Sequence, residues 1–443
     1  MLEKFKTVGQ SVAQRAAEGA GRAVSTAKKR AVKPSGEQYL VALDIGTEYV
    51  KALIGRVLPD NKLEIIGEGR QHQALTDMQA GAISDIAAVV ENCDKALNAA
   101  ESQANVSVRS AIIGIAGELV KGTTTTVRVA RKNATKAIDT AEMEKIITIV
   151  QQRAEVKAKQ QLAWELGGKE VEVRLVNSAL VNIEIDGYPV TNPIGFQGKD
   201  VVVQLYTAFA PMIHIGALEK TAQELDLDLL AVAAEPFAVA RAMIGDKPDQ
   251  NVNAILMDVG GGTTDIAVVN EGGVQGTKMF GIGGRAYTRA IERSLGVEFE
   301  QAEALKIGLS TNKIPSQKRP AIEKALEKTV DTWAAGIELA LGEFTKLDHL
   351  PSQIYLCGGG SSLDVLMERL QDSQWYRGLP FTKRPTVHHM EPEQVVGMVD
   401  KTGQVNDHTF ITAMGLLRVG IDTLQFTDTG NSIRDKIDKM LSV

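Results

Sequence analysis

Two cysteines, Cys93 and Cys357, in a chain of 443 residues cannot frame a disulfide-stapled fold, and their apolar neighbours predict packed thiols in a reducing compartment. No stretch approaches the roughly eighteen uninterrupted apolar residues of a membrane-spanning helix, and the N-terminus has neither the apolar core nor the cleavage site of a secretory signal. Contact with a membrane is therefore expected to be peripheral. A G-x-x-x-x-G-K-[ST] run is absent, which excludes a P-loop as a phosphate grip. No Ser-His-Asp or Cys-His arrangement carries a local signature of its own. The net charge of −6 argues against a dedicated nucleic-acid binder, so no nucleic acid is expected among the partners.

Charge is unevenly spread. Residues 1 to 34 hold Lys4, Lys6, Arg15, Arg22, Lys28, Lys29, Arg30 and Lys33 against only Glu3 and Glu18. Leu2, Phe5, Val8, Val12 and Ala16 recur among them at spacings of three and four. Segment 1–38 thus reads as a basic amphipathic extension suited to an anionic surface, with a solvated basic tail as the alternative. Segment 427–443 is a polar linker followed by Ile433, Ile437, Met440 and Leu441 at helical spacing. Its polar face sets Arg434, Lys436 and Lys439 against Asp435 and Asp438, the composition of a weaker anchor.

A chain of this length is expected to divide into two to four domains or subdomains. From Tyr39 onward strands and helices alternate as in an α/β protein with a largely parallel sheet. The expected partition has a first domain in 39–80 and 207–235, interrupted by an inserted α+β subdomain over 81–206. A second domain follows in 236–285, broken by a helical subdomain over 286–349, and 350–426 completes it and returns to the first. No tandem repeat is read.

Two hairpins share one plan. Asp44-Ile45-Gly46-Thr47 and Asp258-Val259-Gly260-Gly261-Gly262-Thr263-Thr264-Asp265 each follow an apolar strand and lead into another. Glycines let backbone N–H groups approach phosphate oxygens, Thr hydroxyls add donors, and an acid at the strand end can hold a magnesium ion against phosphate charge. One such turn alone is an ordinary hairpin; the pair, with the acid in the same place, points to a nucleotide. A third cluster, Cys357-Gly358-Gly359-Gly360-Ser361-Ser362, follows an apolar strand and opens a helix, a suitable seat for phosphates or adenosine. Gly281-Ile282-Gly283-Gly284-Arg285-Ala286 satisfies G-x-G-x-x-A, but a long helical region follows it instead of the βαβ unit of a dinucleotide site. His388-His389 suggests a metal cluster only superficially, because adjacent histidines in a strand face opposite ways.

The two hairpins and the Gly358 cluster, in this order, resemble the phosphate-1, phosphate-2 and adenosine motifs of the actin, hexokinase and heat-shock-chaperone superfamily. Within it the chain is similar to the FtsA family over roughly residues 39 to 426. The likeness rests on Val41-Ala-Leu-Asp-Ile-Gly-Thr47, Thr191-Asn-Pro-Ile-Gly-Phe-Gln-Gly198, Met257-Asp-Val-Gly-Gly-Gly-Thr-Thr-Asp-Ile-Ala-Val268, Ala302-Glu-Ala-Leu-Lys306 and Ala413-Met-Gly-Leu-Leu417. The resemblance implies an actin-like ATPase fold of two domains around a nucleotide cleft, with an FtsA-type insertion. It implies ATP and Mg2+ as cofactors. Asp44, Gly46, Thr47, Asp258, Gly260, Gly261, Gly262 and Thr263 would take the phosphates, with Asp44 and Asp258 near the metal. Gly283 and Gly284 would lie near the nucleotide, Glu303 and Lys306 would face ribose and adenine, and Gly358, Gly359 and Gly360 would complete the site. Glu235, in Ala234-Glu-Pro-Phe-Ala-Val-Ala240, matches a water-positioning acid of related ATPases and implies at most slow hydrolysis. Residue type alone reads Glu303 and Lys306 as a solvated helix-surface pair.

FtsA proteins polymerise head to tail, bind FtsZ through the helical subdomain and attach to the cytoplasmic face of the membrane at the division site through a C-terminal amphipathic helix. The corresponding expectation here is a filament-forming adaptor between FtsZ and membrane, with both Leu2, Phe5, Val8 and Ile433, Ile437, Met440, Leu441 as candidate lipid contacts. The alternatives are a PilM-like scaffold of a pilus or secretion assembly, and a small-molecule kinase or chaperone ATPase.

Overall fold

The computed structural model describes residues 37–59, 62–245, 252–371 and 374–428. The terminal segments carrying Leu2, Phe5, Val8, Ile433, Ile437, Met440 and Leu441 lie outside them.

The apolar strands assemble into two large sheets. The first runs in the order Asp228–Ala234, Ser110–Ile115, Tyr39–Ile45, Tyr49–Leu58, Lys62–His72, Met398–Asp400. The second runs Thr386–His389, Gln353–Cys357, Ala254–Val259, Thr264–Asn270, Gly273–Phe280, and continues through Lys121–Ala130, Asp200–Pro211, Val173–Ile185 and Tyr188–Pro189. The same pattern is built twice. An antiparallel three-strand meander (39–72, then 254–280) gains two parallel strands beside its first member, 110–115 and 228–234 in one copy, 353–357 and 386–389 in the other. The sequence shows no repeat because the halves share topology and turn chemistry, not residues.

Each copy is interrupted at a different point. The helices Gly284–Leu295, Phe299–Ser310 and Arg319–Gly342 follow the second meander and pack around buried Trp333, Leu326 and Ile337. Ile307, on the second of these helices, is 48% exposed and lies on the cleft wall. The interruption of the first copy is shorter than 81–206 at its start and longer at its end. Helix Ile86–Ala104 buries Val89, Cys93, Ala96, Leu97 and Ala100 in the core of the first sheet, and strand Ser110–Ile115 pairs parallel with Tyr39–Ile45. Both belong to the first domain. The insertion proper is the sheet of 121–130, 173–185, 188–189 and 200–211 with helix Thr140–Glu165 across it. A crossover helix and an inserted helix have the same amphipathic period, so only the pairing of strand 110–115 separates them.

Helix Ile411–Asp428 returns the chain to the first domain, crossing strand 39–45 and helix Glu235–Ile244. The two helices touch at Gly415, where a Cβ would stand 2.3 Å from the Ala238 carbonyl oxygen. Gly216, in helix Met212–Glu224, has nothing within 4 Å of such a Cβ. Gly415→Ala is therefore expected to lower the unfolding free energy by about 1–3 kcal/mol through overpacking. Gly216→Ala is expected to raise it by about 0.5–1 kcal/mol by restricting the unfolded chain. Denaturant melts of both variants check the opposite signs.

Candidate functional site

Strand register makes the two turns equivalent. Asp44 pairs with Lys51 across the first hairpin and Asp258 with Asp265 across the second. Each turn closes alike: Gly46 N–H donates to the Tyr49 carbonyl at 3.1 Å, and Gly260 N–H to the Thr263 carbonyl at 2.9 Å. The turns meet across the junction of the two halves. A Cβ on Gly262 would lie 2.8 Å from Thr47 Oγ1, so any larger residue would force the turns apart.

A cleft of about 350 Å3 lies between them. Asp44, Gly46, Thr47, Glu235, Asp258, Gly260, Gly261, Thr263, Gly284, Glu303, Lys306, Gly358, Gly359 and Gly360 line its wall. Gly262 and Gly283, expected with them, are not among the lining residues; Gly262 faces Thr47, and Gly283 lies against the Gly260 carbonyl. The third glycine cluster is itself a 3-10 turn, Gly359–Ser362, and the helix it was expected to open begins at Asp364. Gly358 has φ +80, and a Cβ there would stand 1.9 Å from Asp258 Oδ1, so this glycine lets the turn close over the acid. Glu303 and Lys306 are not solvated: they pair at 2.7 Å, and Lys306 Nζ also donates to Thr288 Oγ1 at 2.9 Å and to the Gly284 carbonyl at 3.2 Å.

Four acids, Asp44, Glu235, Asp258 and Asp265, are buried around one lysine. Lys51 Nζ donates to Asp44 Oδ2 at 2.8 Å. Burial works against the lysine's charge, but Asp44 beside it and Asp258 beyond hold its pKa above the ordinary value. Burial pushes the Glu235 carboxyl well above the usual carboxylate range, and the charges of Asp44, Asp265 and Asp258 push it further against the pull of Lys51. Asp265 is raised in the same way, by burial and then by Asp258. Burial also raises Asp258, opposed by a hydrogen bond from Thr412 and by Lys51. Asp265 Oδ1 has no hydrogen-bond partner among the described residues.

Such an excess of buried negative charge suits a divalent cation, and the glycine N–H groups suit phosphate oxygens. Among the described residues no three His, Cys, Asp or Glu side chains converge as a metal cage. An ion at Asp44 or Asp258 would complete its shell with water and phosphate oxygens, as magnesium usually does. His389 stacks on His408 with ring centroids 4.2 Å apart, while His388 turns toward Tyr355. Burial and His389 lower the His408 pKa to about 4.

Residue patterns alone did not point to Lys51, Asp265 or Arg285 as cleft residues. The signal for the first two was the hairpin register, which places residues 44 and 51, and 258 and 265, opposite one another. Arg285 stands inside the G-x-G-x-x-A run but reaches its partners only through the tertiary fold.

Comparison with known proteins agrees with this architecture. Residues 255–415 match the family model described as cell division protein FtsA. The cell division protein FtsA of Pseudomonas aeruginosa is 24% identical over 422 residues, 89% of this chain and 93% of that protein. That of Escherichia coli K12 is 24% identical over 427 residues, 88% and 92%. That of Neisseria meningitidis is 27% identical over 275 residues, 61% of each. Among solved structures, the PilM-PilN type IV pilus biogenesis complex superposes with a TM-score of 0.61 at 17% identity, covering 86% of this chain and 98% of that one.

The buried acids predict a pH-dependent cost. A carboxyl whose folded pKa is raised keeps its stabilising contribution below the unfolded value, near 4.5 for Glu235, and loses it as pH rises toward the folded value. Glu235→Gln should therefore stabilise the ligand-free protein at pH 8, by on the order of 1 kcal/mol. The gap from wild type should close as the pH falls toward 5, which thermal melts across that range would show.

Proposed function

Because the chain is a member of the FtsA family of actin-like proteins, we propose that it binds ATP with Mg2+ between the two turns, polymerises head to tail and links FtsZ to the cytoplasmic face of the membrane at the division site. One observation carries the nucleotide part: two register-equivalent turns, each with a buried acid at the strand end and glycine in the turn, face each other across one cleft. Lys51 and the turn amides would take phosphate charge, Asp44 or Asp258 the magnesium through water, and Lys306 and Glu303 the ribose and base. Glu235, buried with a raised pKa, is suited to hold an attacking water, which supports slow hydrolysis. The Thr191 to Gly198 run and the helical subdomain after the second meander support the FtsA role in division and FtsZ as partner. Among the described residues no helix is long and apolar enough to cross a membrane, so tethering would fall to the terminal segments 1–38 and 427–443.

A second reading, a PilM-like scaffold, is favoured by one feature. A groove of about 590 Å3 runs along strand 173–185, past Phe237, Arg241 and Ala231 to Thr423 on helix 411–428. Beyond Glu184 and Ile185, that strand is paired on one side only, with 200–211. An extended peptide could add to its free edge.

ATP-Mg2+ at about 100 times its Kd should raise the unfolding free energy by about 2.7 kcal/mol, and Lys51→Ala should abolish the shift. Electron microscopy on lipid monolayers, with and without ATP, tests the rest. Filaments lying on lipid only with ATP, lost when residues 1–34 and 430–443 are both deleted, support the adaptor. A protein that captures neither FtsZ's C-terminal peptide nor lipid, yet retains a pilus-type peptide, would favour the scaffold.

A further inference from the structure

Arg285 begins the helical subdomain and ties both turns at once. Its backbone N–H donates to the Gly261 carbonyl at 2.8 Å, in the second turn. Its guanidinium crosses to the first turn, donating from Nε to Glu48 Oε2 at 2.8 Å and from Nη2 to the Thr47 carbonyl at 2.7 Å. It then reaches the carbonyls of Leu75 at 3.3 Å and Met78 at 3.4 Å. The side chain is only 17% exposed and that of Glu48 19%, so this pair is shielded from solvent more than an ordinary surface salt bridge. Glu48 is braced from behind by His72 Nε2 at 2.8 Å.

The rim that Arg285 grips is stiff. Gln73, fully buried, donates from Nε2 to the Gly46 carbonyl at 2.6 Å and from its backbone to Glu48 O at 2.9 Å. Asp77 accepts from Ala74 N–H at 2.8 Å and from Asn92 Nδ2 at 2.9 Å. The acceptor carbonyls are therefore held in place by their own segment, and a guanidinium fork meets them without ordering a loop. Arg285 also lines the cleft, with its side chain partly exposed.

We propose that Arg285 is a clasp across the cleft mouth, a positioning residue that sets how fast nucleotide enters and leaves, without being a main determinant of how tightly it binds. The proposal rests on the reading of the cleft as a nucleotide site. Charge-assisted bonds between the halves stabilise the closed form whether or not the cleft is filled. Opening then limits entry and release alike, and removing the clasp changes both by a similar factor.

The experiment is stopped-flow binding and chase of a fluorescent ATP analogue with Mg2+ on the full chain, comparing wild type, Arg285→Ala, Arg285→Lys, Glu48→Gln and Arg289→Ala. Arg289 lies one turn on and pairs within its own helix with Glu292, so its loss is the control. Arg285→Ala is expected to speed both association and release roughly tenfold, with Kd changed less than about threefold. Glu48→Gln and Arg285→Lys should fall between it and wild type, and Arg289→Ala should match wild type. Release that speeds while association stays fixed would make Arg285 a ligand contact and overturn the clasp. Unchanged rates in both Arg285→Ala and Glu48→Gln would also overturn it while leaving the nucleotide site standing. Failure of the wild-type chain to bind the analogue would overturn the site reading and the clasp together.

Discussion

The rest of the structure turns on the contact between two hairpin turns that belong to different halves of the chain. Gly262 against Thr47 and Gly261 against Glu48 bring the turns to van der Waals distance, and this places Asp44 and Asp258 in one desolvated volume. Burying several carboxylates around a single lysine disfavours their charged forms, because each loses hydration and repels the others. Asp44, Asp258 and Asp265 are held near strand ends and Glu235 at the start of helix Glu235–Ile244. What remains is a cluster of carboxyls whose ionisation is disfavoured, a cost that a cation beside them would relieve.

The repeated topology lets such a site form without a dedicated loop. Each copy contributes one meander, one turn and one acid, so the cleft is the seam between copies, as ligand sites at domain interfaces commonly are. The insertions flank the seam. The 121–211 sheet continues the second sheet through a single pairing, Gly276 with Thr123, and so joins the halves on one side. The three helices after the second meander supply Arg285, Glu303 and Lys306 and so reach the cleft from the other side. Both insertions carry exposed apolar side chains, such as Trp164, Phe196 and Leu339.

Much of this was legible in residues. The strands bounding both turns, the three glycine clusters and the helical subdomain follow from apolar runs and turn chemistry, which are local signals. Three features were not legible, each for a physical reason. Helix 86–104 looked like part of the insertion because its period does not say which sheet it covers. Lys51 was passed over because a glycine-rich grip does not require a lysine, although hairpin register sets it beside Asp44. Glu303 and Lys306 read as a surface pair because the spacing of an ion pair on a helix is the same whether water or a neighbouring helix lies above it; here Thr288 and Gly284 cover them.

The last constraint is mechanical. Strand 39–45 runs from Tyr39 to Asp44 at the cleft, and helix 411–428 starts beside the cleft, where Thr412 hydrogen-bonds Asp258. The helix then passes beneath the first sheet, where Gly420 lies against Leu40 and Ile112. Both described ends of the chain thus leave from the side opposite the two turns. From Ile411 to Leu424 the helix is packed, through Gly415 on Ala238 and through buried Arg418, which pairs with Asp422, and it has little room to bend there. A rigid rod with one end on Asp258 and the other at the exit of the chain transmits a displacement instead of absorbing it. If the cleft opens about the proposed clasp, the surface from which both described ends depart would shift relative to the second half.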